Sequence, residues 1–240
     1  MSYGNKIKAK FIMYRLVAFL LLLGCAAVQS VSPGAEFVGV PYLESPLGEG
    51  DGYDNDPLIR FDAFDCTTFV ETVVADGNVD KLNQIRYKNG EVDFLKRNHF
   101  IESDWLNNNI KYVQNISAKF APTQIRRVII DKQAWLKKVH GISAEFQPEV
   151  IDLEYIPYKY VNNIVVTRPM IVLFVADNSK IRDKIGTDLA IVHMGFVLPN
   201  DVLRHASSSR REVVDVAWTE YIESKKQNKD NLGIVLVDIR

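Results

Sequence analysis

Along residues 64–76 the apolar side chains Phe69, Val70, Val73 and Val74 recur at i, i+1, i+4 and i+5. That is one face of a helix, and Gly77-Asn78 supplies a stop. "DKLNQIRY" predicts a second short helix, and "SDWLNNNIKYV" a third with Ser103 as its cap. "RRVIID" reads as a strand, and "KQAWLKKVH" as a short helix closed by Gly141. Ahead of these, residues 31–62 are dense in Gly, Pro, Asp and Asn and read as loop and turn.

From about residue 150 the pattern changes. "VIDLEYIPY", "PMIVLFVA", "LAIVHMGFVL", "VLRHASS", "EVVDVA" and "GIVLVDI" are runs rich in β-branched residues, separated by turn residues. "TEYIESKKQ" interposes a helix between the last two. Helices first and strands afterwards, without regular alternation, predict an α+β fold with an antiparallel sheet rather than a doubly wound one. In "DLAIVHMGFVL" the residues Ile191, His193, Gly195 and Val197 share one face of a strand. A hairpin turning about Pro199 would set His193 opposite His205 on that face, with Gly195 leaving room for a substrate.

The first residues follow a different pattern. "MSYGNKIKAKFIMYR" carries Lys6, Lys8, Lys10 and Arg15 and no acid, and "LVAFLLLLGCAAVQS" follows. A basic segment, a short apolar run and small residues read as an export signal over residues 1–30, leaving residues 31–240 as one domain. The run ends in Leu22-Leu23-Gly24-Cys25, close to the site at which lipoprotein precursors are cleaved and lipidated. Two routes follow: lipidation at Cys25, or plain cleavage near Ser30-Val31. Both place the mature protein outside the cytoplasm, in the periplasm, as an outer-membrane lipoprotein, or secreted. Membrane attachment is expected only through that lipid.

Composition narrows the partners. The 240 residues are 47% hydrophobic and 25% charged, enough to bury a sizeable core. With 29 basic against 30 acidic residues the net charge is -1, without the basic excess that a nucleic-acid partner needs. A monomer is expected.

The chain has 2 cysteines, so under either processing route Cys66 is a lone thiol in an exported protein. Pairing is the usual fate there, which makes an unpaired cysteine a candidate nucleophile; the other reading is a small buried residue. A helix beginning near Asp65 would place the thiol in its first turn, where unpaired backbone N–H groups and the helix dipole favour a thiolate. The same N–H groups could receive an oxyanion. A histidine would serve as proton carrier, and of His99, His140, His193 and His205 only the hairpin pair is suitably matched. Cys66, His193 and His205 could also form a zinc set, but no CxxC, HxH or HExxH pair anchors a metal, so no metal or organic cofactor is expected.

"FDCTTFVETVVA" resembles the nucleophile motif of the N-acetylmuramoyl-L-alanine amidase-like family, a branch of the NlpC-type papain-like cell-wall hydrolases. "GVPY", "KRNHFIESDWLNNN", "EYIPYKY", "IVHMGF" and "LRHASSS" are similar to its further landmarks, in order, over about residues 37–240. The resemblance implies a papain-like core with the cysteine helix packed on an antiparallel sheet. It implies Cys66 as nucleophile, His193 as base and acid, and His205 orienting it. Tyr42, Asp65, Asp104 and Trp105 become candidates for substrate contact, with helix cap and core aromatic as the alternatives for Asp104 and Trp105. The implied substrate is peptidoglycan, cut between N-acetylmuramic acid and L-alanine. The rivals are a γ-D-glutamyl-L-diamino-acid endopeptidase of the same fold, and a non-catalytic cell-wall-binding lipoprotein. Arg168-Pro169-Met170-Ile171, Val192 and Tyr158 depart from the family pattern, and these departures bear on substrate choice.

Overall fold

A computed structural model of the chain describes residues 32–178 and 180–240. The export signal, Cys25 and the cleavage position at Ser30-Val31 lie outside the described residues. The strands are β1 (Val113–Asn115), β2 (Gln124–Ile130), β3 (Glu149–Pro157), β4 (Met170–Ala176), β5 (Ile191–Leu198), β6 (Val202–Ser207), β7 (Glu212–Ala217) and β8 (Asn231–Ile239). The helices are α1 (Cys66–Ala75), α2 (Val79–Arg86), α3 (Leu106–Asn108), α4 (Lys132–Trp135), α5 (Tyr158–Val161), α6 (Ile181–Ile185) and α7 (Trp218–Lys226).

The strands form one antiparallel sheet in the order β2-β3-β8-β4-β5-β6-β7, with β1 also paired to β8. Period-2 alternation divides β4, β5 and β8 between two cores. Leu173, Met194, Phe196 and Val235 pack with Phe69, Val70 and Val74 of α1. Val172, Phe174, Val197 and Leu236 pack with Trp218 and Ile222 of α7. Both cores are closed by buried aliphatic and aromatic side chains, the largest favourable contribution to such a fold. The α+β expectation holds, with the cysteine helix lying on the sheet, and among the described residues no helix is long and apolar enough to cross a membrane.

Helix α1 starts where its chemistry directs. The Asp65 carboxylate accepts from the Thr68 backbone N–H at 2.7 Å while the Thr68 hydroxyl accepts from the Asp65 N–H at 3.0 Å, a reciprocal capping box. Past its end, Asp76 and Gly77 both take left-handed φ and release the chain. Gly141 closes the α4 segment in the same way, as expected.

Two local readings are corrected. The third helix does not begin at Ser103. A wide π-type turn runs over Ile101–Trp105 and continues as α3, with Phe100 before it and no side-chain cap. The acids of that turn decide this: Asp104 reaches back to the Phe100 N–H at 3.4 Å, and Glu102 is drawn inward to the Ala190 N–H at 2.6 Å. Val113, read as the end of that helix, instead opens β1.

The hairpin register is also different. Phe196 pairs with Arg204, Val197 with Leu203 and Leu198 with Val202, so the turn centres on Asn200 rather than Pro199. Asn200 and Asp201 both adopt positive φ, which these side chains tolerate better than most. A two-residue shift in pairing keeps both histidines on the same face but moves His193 out of direct opposition to His205.

Candidate active site

Cys66 is the first residue of α1, and α1 packs on β5 and β6, the strands that carry His193 and His205. The imidazoles meet diagonally: His193 Nε2 lies 2.8 Å from His205 Nδ1, with the rings nearly perpendicular. His193 stacks on Phe174, its partner in β4, at 5.5 Å between centroids, and Tyr221 of α7 stands edge-on to His205 at 5.2 Å. Gly195 makes the diagonal contact feasible. A Cβ there would stand 2.8 Å from His205 Cβ and 2.7 Å from the Arg204 carbonyl oxygen. Its role is therefore to admit His205, not to leave room for substrate.

The ladder between β4 and β5 slips just before the histidine. Phe174 pairs with His193 but Val175 pairs with Ile191, so Val192 is the extra residue and turns outward. The bulge changes the direction of the chain on one side of His193.

The thiol belongs to the α1 core, while the imidazoles are surrounded by the aromatic residues of the α7 side. Among the described residues the Cys66 Sγ side-chain hydrogen bond is to Thr67 Oγ1, at 3.9 Å. Cys66 and His193 lie on elements packed against each other, α1 and β5, and among the described residues no hydrogen bond joins them directly. A thiolate at Cys66 would raise the pKa of both Tyr42 and Tyr221, so both phenols lie within electrostatic range of the sulfur.

The protonation state differs from the expectation for a helix start. Burial, and then the Asp65 carboxylate, push the Cys66 thiol up to about 11, against smaller opposing effects of backbone and Thr67 hydrogen bonds. Desolvation outweighs the helix dipole because a charge at one helix end gains only about 0.3–1 kcal/mol at exposed sites. Burial also lowers His193 to about 3 and His205 to about 4, with Lys225 repelling a proton from each. The resting trio is a neutral thiol beside two neutral imidazoles. Tyr42, pushed up to about 12 by burial and by the Cys66 and Asp65 charges, keeps its proton.

The other substrate-contact candidates divide by burial. Asp65 is occupied structurally: one carboxylate oxygen accepts from the Thr68 N–H and hydroxyl, the other from the Ser45 N–H at 3.2 Å. Asp104 pairs with Lys132 at 2.8 Å and lines a cavity whose wall contains neither Cys66 nor a histidine of the pair. Trp105 is 0% exposed and cannot touch a substrate. Its indole N–H donates to Glu71 Oε1 at 3.1 Å, and Glu71 faces Arg86 at 3.5 Å, all inside the protein. The core-aromatic alternative holds for Trp105. This polar brace has no local signature, because Glu71 meets Trp105 and Arg86 only through tertiary packing. Arg86 extends it: its guanidinium donates to the carbonyls of Leu47, Gly48 and Leu58, anchoring the loop that precedes the cysteine.

Among the described residues no group of three His, Cys, Asp or Glu side chains is placed to hold a metal ion. His99 and His140 lie apart from the pair, packed around Trp135 at 4.7 and 4.5 Å.

A capped helix that begins with a cysteine, laid on an antiparallel sheet that carries a hydrogen-bonded imidazole pair, defines an α+β protein. The match of a family model over residues 32–233 goes further: the chain belongs to the AmiA-like family, described as N-acetylmuramoyl-L-alanine amidase-like. The fold is shared with a Legionella pneumophila protein of 26% identity, covering 86% of each chain with a TM-score of 0.77. An N-acetylmuramoyl-L-alanine amidase from Bacteroides uniformis aligns at 22% identity over 87% of this chain and 97% of its own, with a TM-score of 0.64. A candidate xylanase from Bacteroides fragilis aligns at 23% identity over 85% and 98%, also at 0.64. No curated protein matches.

Proposed function

We propose that this protein is a cysteine amidohydrolase of papain-like, NlpC type, cutting the amide between N-acetylmuramic acid and L-alanine in peptidoglycan or its fragments outside the cytoplasm. The observation that carries the chemistry is that α1, which begins with Cys66, packs on β5 and β6, where His193 is hydrogen-bonded to His205. Membership of an amidase-like family supports hydrolysis and a peptidoglycan substrate.

Because thiol and imidazole both rest neutral, nucleophile activation is a proton transfer made when substrate arrives. With His193 Nε2 donating to His205 Nδ1, the other nitrogen of His193 is free to accept the thiol proton. Substrate displaces water, and rotation about the Cys66 side-chain bond brings sulfur to imidazole; such contacts commonly tighten only in the complex. Sulfur attacks the lactyl carbonyl, forming the C–S bond while the carbonyl π pair moves onto oxygen. Backbone N–H groups at the start of α1, with the protonated Tyr42 hydroxyl, receive that oxyanion. The His193 imidazolium then protonates the alanine nitrogen as the C–N bond breaks, leaving a thioester. Water, deprotonated by His193, attacks the thioester, and the thiolate leaves and recovers the proton. His205 holds the tautomer throughout. The site chemistry asks for no metal or organic cofactor.

Mass spectrometry of digested muropeptides tests the reading. Release of a stem peptide beginning with free L-alanine is the expected product, absent with Cys66→Ala. Cleavage after D-glutamate instead would assign the endopeptidase reaction. No turnover by a folded wild-type protein that still retains sacculi would assign cell-wall binding alone.

A further inference from the structure

A cavity of about 650 Å3 opens between the segment following α2, the turn leading to α3, and α4. It is of a size typical for small-ligand sites, yet neither Cys66, His193 nor His205 lines it. Four of its charged side chains pair within the wall, and Lys88, Asp93 and Glu149 line it as well. Lys96 pairs with Glu91, and Lys132 pairs with Asp104 at 2.8 Å, so neither ammonium is free for an anion. Amides supply further polar capacity. Asn98, buried in the floor, donates to the Ile85 carbonyl at 2.8 Å and accepts from Asn108 Nδ2 at 2.6 Å, which fixes the Asn108 side chain. Asn107 is fixed likewise, its Nδ2 donating to the Ser103 carbonyl at 2.8 Å. Both carboxamides thus spend donors inward and keep their oxygens for a ligand, while the Asn89 side chain, also lining the cavity, offers donor and acceptor together. Opposite lies Phe146, half-buried, with the Lys132 ammonium 5.3 Å from its ring centre.

Fixed carboxamides beside an aromatic ring suit a ligand rich in hydroxyl and acetamido groups with apolar C–H faces. We propose that this cavity binds N-acetylated amino sugar, the glycan portion of a cell-wall polymer, separately from the bond-cutting site. A hydroxyl donates to Asn107 and Asn108 oxygens, an acetamido group pairs with Asn89, and a sugar face lies on Phe146. The chemical class matches the substrate of the proposed reaction, but the site is independent of it, since none of Cys66, His193 and His205 lines the cavity.

The test is titration of Cys66→Ala protein with tri-N-acetylchitotriose, followed by NMR and calorimetry. The probe has no peptide and no bond for the proposed reaction, so a failure of that reaction leaves this measurement unchanged. Saturable binding is expected, with shifts grouped at Asn89, Asn107 and Phe146. Phe146→Ala is expected to weaken it about tenfold, equivalent to about 1.4 kcal/mol, with the melting temperature as the control for folding. Asn107→Ala is a second variant, since it removes a surface-facing carboxamide without opening the core. Absence of saturable binding overturns the proposal. So does binding unchanged in both variants, or binding of an acidic stem peptide with none of the sugar.

Discussion

Gly195 and His205 occupy the same place across the hairpin: a Cβ on Gly195 would lie 2.8 Å from His205 Cβ, where no two side chains coexist. The imidazole pair depends on this missing atom, since His205 leans over Gly195 to reach His193. Gly195→Ala should therefore separate the rings or push β6 away. The opposing contact is the Arg204 carbonyl oxygen at 2.7 Å, a backbone atom that cannot rotate aside. We expect loss of about 1–3 kcal/mol of stability, typical of overpacking, and a kcat reduced more than that loss explains, measured by thermal melts and muropeptide turnover.

His205 accepts a hydrogen bond through Nδ1 in the proposed tautomer, and asparagine can present an oxygen in a similar position. His205→Ala should lower kcat with little change in KM, and His205→Asn should recover part of it. Equal losses in the two variants would show that His205 serves packing against Tyr221 rather than orientation of His193.

The thiol is held protonated, so alkylation of the resting protein should be slow at neutral pH and rise steeply as pH approaches about 11. Iodoacetamide rates across pH, read by mass spectrometry at Cys66, check this. Rapid labelling at pH 7 would establish a resting thiolate instead. Slow labelling is compatible with an active enzyme, because activation is assigned to the substrate complex.

The Glu71 carboxyl is pushed up to about 7 by burial, with Asp65 adding to the rise and Arg86 opposing it. Its folded pKa is raised above the ordinary value, so the folded state holds this proton more tightly than the unfolded chain. Its contribution is present below about 4.5 and is lost as pH rises through about 7. The histidine pair works in the opposite direction: lowered to about 3 and about 4, it adds stability above about 6.5 that is lost as pH falls. Denaturant unfolding of wild type against Glu71→Gln should show the difference between them changing between pH 4.5 and 7 and constant outside that window.

Trp105→Phe leaves the Glu71 oxygen without its indole donor at full burial. A buried acceptor stripped of its partner costs about 1–3 kcal/mol. A stability loss of that size, with an unaltered KM for muropeptides, would bear out a bracing role; a changed KM with unchanged stability would return Trp105 to the substrate.

Much of the fold was legible in the chain because it rests on local chemistry. The Asp65–Thr68 box fixes where α1 begins whatever lies around it, and the alternation in "AIVHMGFVL" and "IVLVDI" requires half-buried strands. The same local logic placed Cys66 in a first turn and both histidines on one face. Three things depended on tertiary packing. The hairpin register follows from the turn at Asn200 and Asp201, since alternation alone is equally satisfied by any shift of two. Trp105 is enclosed through its contact with Glu71, 34 residues away, which no neighbouring residue foretells. The protonation of Cys66 was decided by the protein around it: sequence gives the helix dipole that favours a thiolate, but only the fold supplies the burial that outweighs it.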